Sequence, residues 1–410
     1  MSVLPLAGIT VLDLSRLLPG PFCSLMLADF GADVIKVEDT GMGDYVRWSG
    51  PAVPGVERSA RSARFLALNR NKRSVRLDLK SEGGKSAFLT LVGQADVVLE
   101  SFRPGVLERL GLGHEVLRAQ NPGLVVCAIS GYGADGPMAQ RAGHDMNYLG
   151  RVGLLALTGD VDSDMVPPGA PVADIGGGAL MGVVGILAAL RHRDRTGEGQ
   201  FVDIAMADGA LSWLGMDAAA ALMGEPPRRG RLTLGGNAVC YRPYRCRDGW
   251  VTMGAVEPKF FAAWCHGVGR EELVDSQFEE PGSAAHAEIC AIFAARTRAE
   301  WTAFAVEHDC CVEPVLELDE ALGSEQVLAR GMVVEIDQPG AEVPVRMLGV
   351  PVRMSHTPGD PGRLPAPSLG EHTVAVLEQA GLASEEIDAL LASGAAAGPP
   401  DAAISWSFLP

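Results

Sequence analysis

The stretch "GITVLDLSRLLPGPFCSLMLADFGADVIKVE", Gly8 to Glu38, decides the fold. "ITVLDLS" is a short apolar run of strand length. "PFCSLMLADFGA" carries apolar residues at helical spacing and stops at a glycine, and "DVIKVE" is a second apolar run bounded by turn signals. Strand, helix and strand at these spacings make a βαβ unit, which predicts a parallel sheet with a right-handed crossover. The turn "SRLLPGP" lacks the GxGxxG that brings a pyrophosphate against a helix N-terminus, although Glu38 ends the second strand where a ribose ligand is expected. A nicotinamide or flavin dinucleotide is therefore disfavoured.

The alternation continues outward. "SVRLDLK", a helical "EGGKSAFLTLVGQA", "DVVLES" and "LVVCAISGYG" extend a doubly wound α/β layout to about residue 135. "DIGGGALMGVVGILAALRHRD" reads as a helix whose small residues permit close packing, and "GQFVDIAMADGALSWLG" as strand then helix. "EPPRRGRLTLGGNAV" reads as an exposed crossing. The texture then changes: "VCYRPYRCRDGWVTMGA" predicts two strands around the turn "CRDG", followed by amphipathic helices. This divides the chain into a Rossmann-like large α/β domain over 1–225, a small α+β domain over 226–335, and a return to the large domain over 336–392. The Ala-, Gly- and Pro-rich segment 393–410 reads as a mobile tail.

With 410 residues, 47% of them hydrophobic, the chain has enough apolar material for more than one core. No run of eighteen apolar residues free of charge occurs, so a membrane span is not expected, and the opening residues lack the features of a signal peptide. A soluble cytoplasmic protein is the expectation. A net charge of −17 argues against nucleic acid or an anionic membrane as partner, so an anionic ligand must be held by a local basic cluster. The eight cysteines show neither CxxC nor zinc spacing and are read as buried free thiols.

Within "RAGHDMNYLG" (141–150), His144 is the strongest candidate for chemistry. Gly143 permits a close backbone approach, and a following helix would offer the N–H of Asp145 to a developing negative charge. Asp174, in "PVADIGGGALMG", suits both a plain helix N-cap and a carboxylate facing a bulky ligand. Glu257 precedes Pro258 and fits a helix cap, unless a histidine elsewhere needs an orienting carboxylate. Arg16, Lys72, Arg73, Arg103, Arg109 and Arg141 fall at loops after strands or at helix starts. Alone, each is a solvated surface charge; converging, they favour a phosphate-rich ligand.

Six ordered blocks complete the pattern: the opening stretch, "LNRNKRSVRLDLK", "VLESFRPGVLERLGLG", "ISGYGADGP", "AGHDMNYLG" and "RTGEGQFVDIAMADG". Together they resemble the family of type III coenzyme A transferases and α-methylacyl-CoA racemases, from residue 7 to about 390. The racemase branch is similar in having "GHD" at the catalytic position. The resemblance implies an interlocked homodimer of the type III CoA-transferase fold, an acyl-CoA thioester as substrate, and no metal or other cofactor. It implies His144 and Asp174 as the acid/base pair, with Glu257 orienting the histidine. The matching CoA loops contain Arg16, Leu68, Lys72, Arg73, Phe102, Arg109 and Arg141. The implied reaction is epimerisation of 2-methylacyl-CoA thioesters; CoA transfer with Asp174 as nucleophile is the alternative. Where "KVE" is often followed by arginine beside the adenine, this chain has Asp39, which leaves the adenine contact open, with Arg47 as a possible replacement.

Overall fold

The computed structural model describes residues 4–400, apart from the side chain of Thr233. Twelve strands occur among them: β1 Thr10–Asp13, β2 Asp33–Glu38, β3 Lys72–Leu77, β4 Val97–Glu100, β5 Val125–Ser130, β6 Phe201–Ala205, β7 Tyr241–Cys246, β8 Gly249–Gly254, β9 Val312–Pro314, β10 Val333–Ile336, β11 Val345–Leu348 and β12 Ala396–Ala397. Seven form one sheet in the order β12-β3-β2-β1-β4-β5-β6, parallel except for β12. This is the α/β architecture that the opening βαβ predicts.

The chain divides into two compact units. Among the described residues, one holds those up to Val152, Ala170–Trp213 and those from Glu325 on; the other holds Gly153–Gly169 and Leu214–Ser324. The boundaries differ from 226 and 335 because the helix Gly215–Leu222 leaves the large unit before the exposed crossing begins, and the second helix after β9, Glu325–Ala329, already belongs to the large unit. Gly153–Gly169 also belongs to the small unit, which no composition shift announces.

In the large unit the central strands are covered on both faces, so they read as unbroken apolar runs rather than alternating ones. Leu12, Ile35, Val75, Val98 and Val126 pack with Phe88 and Leu91 of the helix Glu82–Val92 and with Leu117 and Leu377. The β10–β11 hairpin stands outside the main sheet and buries Ile336 and Met347 against Phe65 and Leu66. The helical segment Ala173–Thr196 is long and apolar enough to cross a membrane by length and composition alone, and just over half of its apolar window is buried inside the protein. It lies against the sheet through glycines: a Cβ on Gly182 would come within 3.0 Å of Ile129, and one on Gly185 within 2.7 Å of Val202.

The small unit is an antiparallel β7-β8-β9 sheet with the helices Pro258–Gly267, Ala284–Ala294 and Arg298–His308. Its core is aromatic. Phe293 stacks on Tyr244 at 4.5 Å and on Trp264 at 5.3 Å, and contacts Trp301 at 4.6 Å.

Two sequence expectations need correction. The segment from 393 is not wholly a tail: Ala395 and Ala396 are buried and β12 pairs with β3, because small side chains let the backbone reach the sheet edge. The remainder, 401–410, lies outside the described residues. All eight cysteines are free, but Cys290 is only half-buried and Cys311 is exposed, held at φ 54° beside buried Cys310.

The main sheet also encloses charge. Asp13, Lys36, Asp44 and Lys72 have fully buried side chains, with Lys36 2.8 Å from Asp44 and Lys72 3.4 Å from Asp13. Arg47, also buried, pairs with Glu38 at 2.6 Å and donates to the carbonyls of Ser59 and Pro367. Burial alone would raise the Glu38 pKa, but the charge and hydrogen bonds of Arg47 outweigh it and bring the value down to about 2. The folded value thus lies below the ordinary one, so the pair's stabilisation is complete above about pH 4.5 and is lost as pH falls towards 2. Glu38→Gln should leave Arg47 buried without its counter-ion and cost about 3–5 kcal/mol in denaturant unfolding, with a shallower loss of stability in acid.

Candidate active site

The chain leaves β1 towards β2 on one side, while β4 lies on the other. The carboxyl ends of β1 and β4 therefore flank a topological switch point, where doubly wound sheets collect ligands. A cleft of about 530 Å³ opens there, built entirely from the large unit. The loop after β1 contributes Arg16 and Leu17, the loop after β4 Ser101 to Pro104, and the end of β5 Ser130 and Gly131; Tyr45, Arg141, His144, Tyr148, Asp174 and Met206 complete much of the wall.

Buried charges shape the first of these loops. Asp13 accepts from the Ser15 N–H at 2.9 Å, Lys36 donates to the Ser15 carbonyl at 2.9 Å, and Asp44 accepts from the Leu17 N–H at 3.1 Å. These bonds hold Leu17 at φ 65°, a region costly for a residue with a β-carbon. Arg16 is left extending from the turn, 2.8 Å from Asp39 and 3.2 Å from the Tyr45 hydroxyl.

His144 is the N-cap of the helix Asp145–Arg151, with an exposed imidazole. Its backbone N–H donates to Asn147 Oδ1 at 3.0 Å, which fixes the entry of the chain. The first turn of this helix leaves N–H groups without helical acceptors. One turn on, the Tyr148 hydroxyl donates to the Gly143 carbonyl at 2.5 Å; a Cβ on Gly143 would sit 2.7 Å from the Tyr148 ring, so only glycine fits.

Asp174 lies in the first turn of a π-helix, Ala173–Leu180, whose N-cap is Val172. It is therefore not the N-cap that the sequence allowed. The wide turn follows from the glycine run: a Cβ on Gly176 would fall 2.1 Å from Trp213 and one on Gly177 2.4 Å from the Met206 carbonyl. Close packing draws the backbone against the helix Met206–Ser212, and π-turns of this kind recur at functional sites. Burial, reinforced by the charge of Asp145, pushes the Asp174 pKa up to about 6. Burial and then Asp174 push Tyr148 up to about 12.

Of the residues expected from sequence, the cleft brings together Arg16, Phe102, Arg103, Arg141, His144 and Asp174, with Asp145 directly behind them. Leu68 is half-buried in the helix Ala63–Asn69 and does not line it. Lys72 and Arg73 begin β3, at the amino ends of the strands. Lys72 is buried on Asp13, Asn69 and the Pro21 carbonyl, its pKa lowered by burial to about 8. Arg73 pairs with Asp33 at 2.5 Å. Arg109 is exposed at the end of the helix Val106–Arg109 and does not line the cleft. Arg47 is committed to Glu38 and cannot serve an adenine. Glu257 belongs to the small unit; exposed at the start of the helix Pro258–Gly267, it makes no side-chain cap. Sequence reasoning missed Tyr45 and Tyr148. The second was legible as the residue four after His144, on the same helical face.

A switch-point cleft with cationic loops, an imidazole at a helix start and a carboxyl of raised pKa defines an α/β enzyme for an anionic ligand. The sequence pattern of CoA-transferase family III matches residues 6–373, and the chain belongs to that family. It is 37% identical over 389 residues to the α-methylacyl-CoA racemase of Mus musculus, covering 93% of this chain and 95% of the relative. It is 34% identical over 402 residues to the succinyl-CoA:glutarate CoA-transferase of the same organism, covering 96% and 90%. Among solved structures, a CAIB/BAIF family protein from Brucella suis superposes with a TM-score of 0.81 at 32% identity, covering 93% of this chain and all of that one.

Arg16→Ala should weaken CoA binding about tenfold or more, as for loss of a charged hydrogen bond. Arg73→Ala, at the other end of the strands, should leave it within about twofold in the same titration.

Proposed function

We propose that the protein epimerises 2-methylacyl-CoA thioesters by moving a proton off and onto the α-carbon. What carries this reading is that His144 and Asp174, two bases of unlike type, line one cleft. Inversion at carbon requires one group to remove a proton from one face and another to return a proton to the opposite face. The burial-raised pKa of Asp174 supports the second role, since the carboxyl must carry a proton when it acts as the acid.

The α-proton of a thioester is much less acidic than either partner, and each pK unit of mismatch costs about 1.36 kcal/mol. The enolate must therefore be stabilised. The Asp145 N–H at the helix start is the donor assigned to the thioester oxygen, a contribution of about 3 to 4 kcal/mol for one preorganised group. Glu257 is assigned to orient the imidazole from a partner chain in a homodimer. The substrate needs no further cofactor in this scheme, since CoA is part of it, and the protein is taken to work in the cytoplasm.

The equilibrium between epimers does not depend on pH, so kcat/KM must follow one profile in both directions. The active pair holds a single proton between His144 and Asp174, and activity falls where both are protonated and where neither is. Both epimers should give bells of the same shape, with Asp174 contributing a limb near pH 6.

CoA transfer is the second reading, favoured by the similarity to named transferases. There Asp174 attacks the acyl carbon and CoA leaves as the thiolate, giving a mixed anhydride. One experiment separates the two: incubation of a single epimer of a 2-methylacyl-CoA in D2O without free acid, with the epimer ratio and α-deuterium followed together. Epimerisation with deuterium uptake is expected, and His144→Ala or Asp174→Ala should each slow it by about 10²-fold or more. CoA appearing on an added second acid, without α-exchange, would assign the chain to transfer.

A further inference from the structure

We propose that the Asp145 carboxylate is a positioning residue that ties the helix entered through His144 to the π-helical turn carrying Asp174, and so fixes the two proton-transfer groups relative to each other. This rests on the racemase reading for its consequence in catalysis, but not for its geometry. Asp145 Oδ1 accepts two backbone N–H groups from a segment 28 and 29 residues away, Ala173 at 2.7 Å and Asp174 at 3.0 Å. No other hydrogen bond among the described residues joins the segment 143–151 to the π-helix Ala173–Leu180.

The arrangement follows from local chemistry. The opening N–H groups of a helix have no partner within it and are usually capped by a side chain just upstream. Val172 occupies the N-cap position here and has no acceptor to offer. Asp145 supplies that acceptor from another helix. Its own helix start is set by the Asn147 bond to the His144 N–H, so the carboxylate is anchored at its base. The carboxylate thus clamps the first two amides of the π-turn from outside it.

The same carboxylate acts on Asp174 by charge, second only to burial in raising its proton affinity. The other groups around this corner are His144 and the hydroxyl of Tyr148 from the His144 helix, Tyr132 after β5, and Arg103 after β4. One residue thereby sets both where the second base stands and how readily it keeps its proton.

Two substitutions separate these effects. Asp145→Asn keeps an oxygen that can accept both amides but removes the charge; Asp145→Ala removes both. Titration of Asp174 by ¹³C NMR of aspartate-labelled protein, with Asp174→Asn providing the assignment, should show a value near 6 in the unaltered protein and a lower one in Asp145→Asn. In the D2O exchange assay, Asp145→Ala should lose about tenfold or more in kcat with KM little changed, and Asp145→Asn should recover most of that loss while its limb near pH 6 moves down. An unshifted Asp174 titration in Asp145→Asn, or wild-type kcat in Asp145→Ala, would overturn the proposal. If the unaltered protein exchanges no α-proton, the racemase reading fails; the NMR titration, together with amide exchange of Ala173 and Asp174 faster in Asp145→Ala than in Asp145→Asn, then decides the clamp.

Discussion

The loop after β1 stands on the buried pairing of Asp13 and Asp44 with Lys36 and Lys72. Four charges sit where water does not reach, and their arrangement is satisfied only when the backbone of Ser15 and Leu17 completes it. Removing one member would leave its partner charged and unsolvated, whereas keeping all of them makes the loop conformation nearly compulsory. Burial opposes the charge on Lys36, but Asp44, Asp13 and Glu38 together hold its pKa above the ordinary value. The strained left-handed Leu17 persists because the network holds it there. Arg16 reaches the cleft as a result of charges it never touches.

The opposite wall is ordered differently. There, steric exclusion acts: glycines let the Ala173–Leu180 turn sink against Trp213 and Met206, and an aspartate from a neighbouring helix receives the amides left over. One side of the cleft is thus held by electrostatics in a dry interior and the other by close backbone contact. Both are stiff, as the proposed two-base chemistry requires.

The sequence carried the strands of the main sheet well, since a parallel sheet buried on both faces needs continuous apolar runs. That His144 and Asp174 would line the cleft was legible because a histidine after glycine at a helix start and an aspartate two residues before a glycine run are local arrangements that the sequence displays directly. Lys72 and Arg73 stand away from the cleft for a definite reason. A cation near a family-like motif looks available, yet availability depends on which end of a strand it occupies and on whether an acid such as Asp13 or Asp33 lies across the sheet. Those are tertiary facts. The π-turn had no local signature either: three successive glycines allow many conformations, and only the bulk of Trp213 and the approach of the Met206–Ser212 helix choose this one.

The two-residue strand β12 gives the sheet an unusual border. A parallel sheet ending at β3 would present a row of free amides and carbonyls, the surface on which stray chains assemble. Ala396 and Ala397 cover Leu77 and Arg76 in the antiparallel sense, and the Arg76 guanidinium reaches on to the Gly398 carbonyl. So short a cover is too small to recruit a further strand itself. The segment Ala396–Gly398 therefore acts as a selvedge: it stops the weave of the sheet at a chosen place, and the closing of that edge falls to residues far from the cleft.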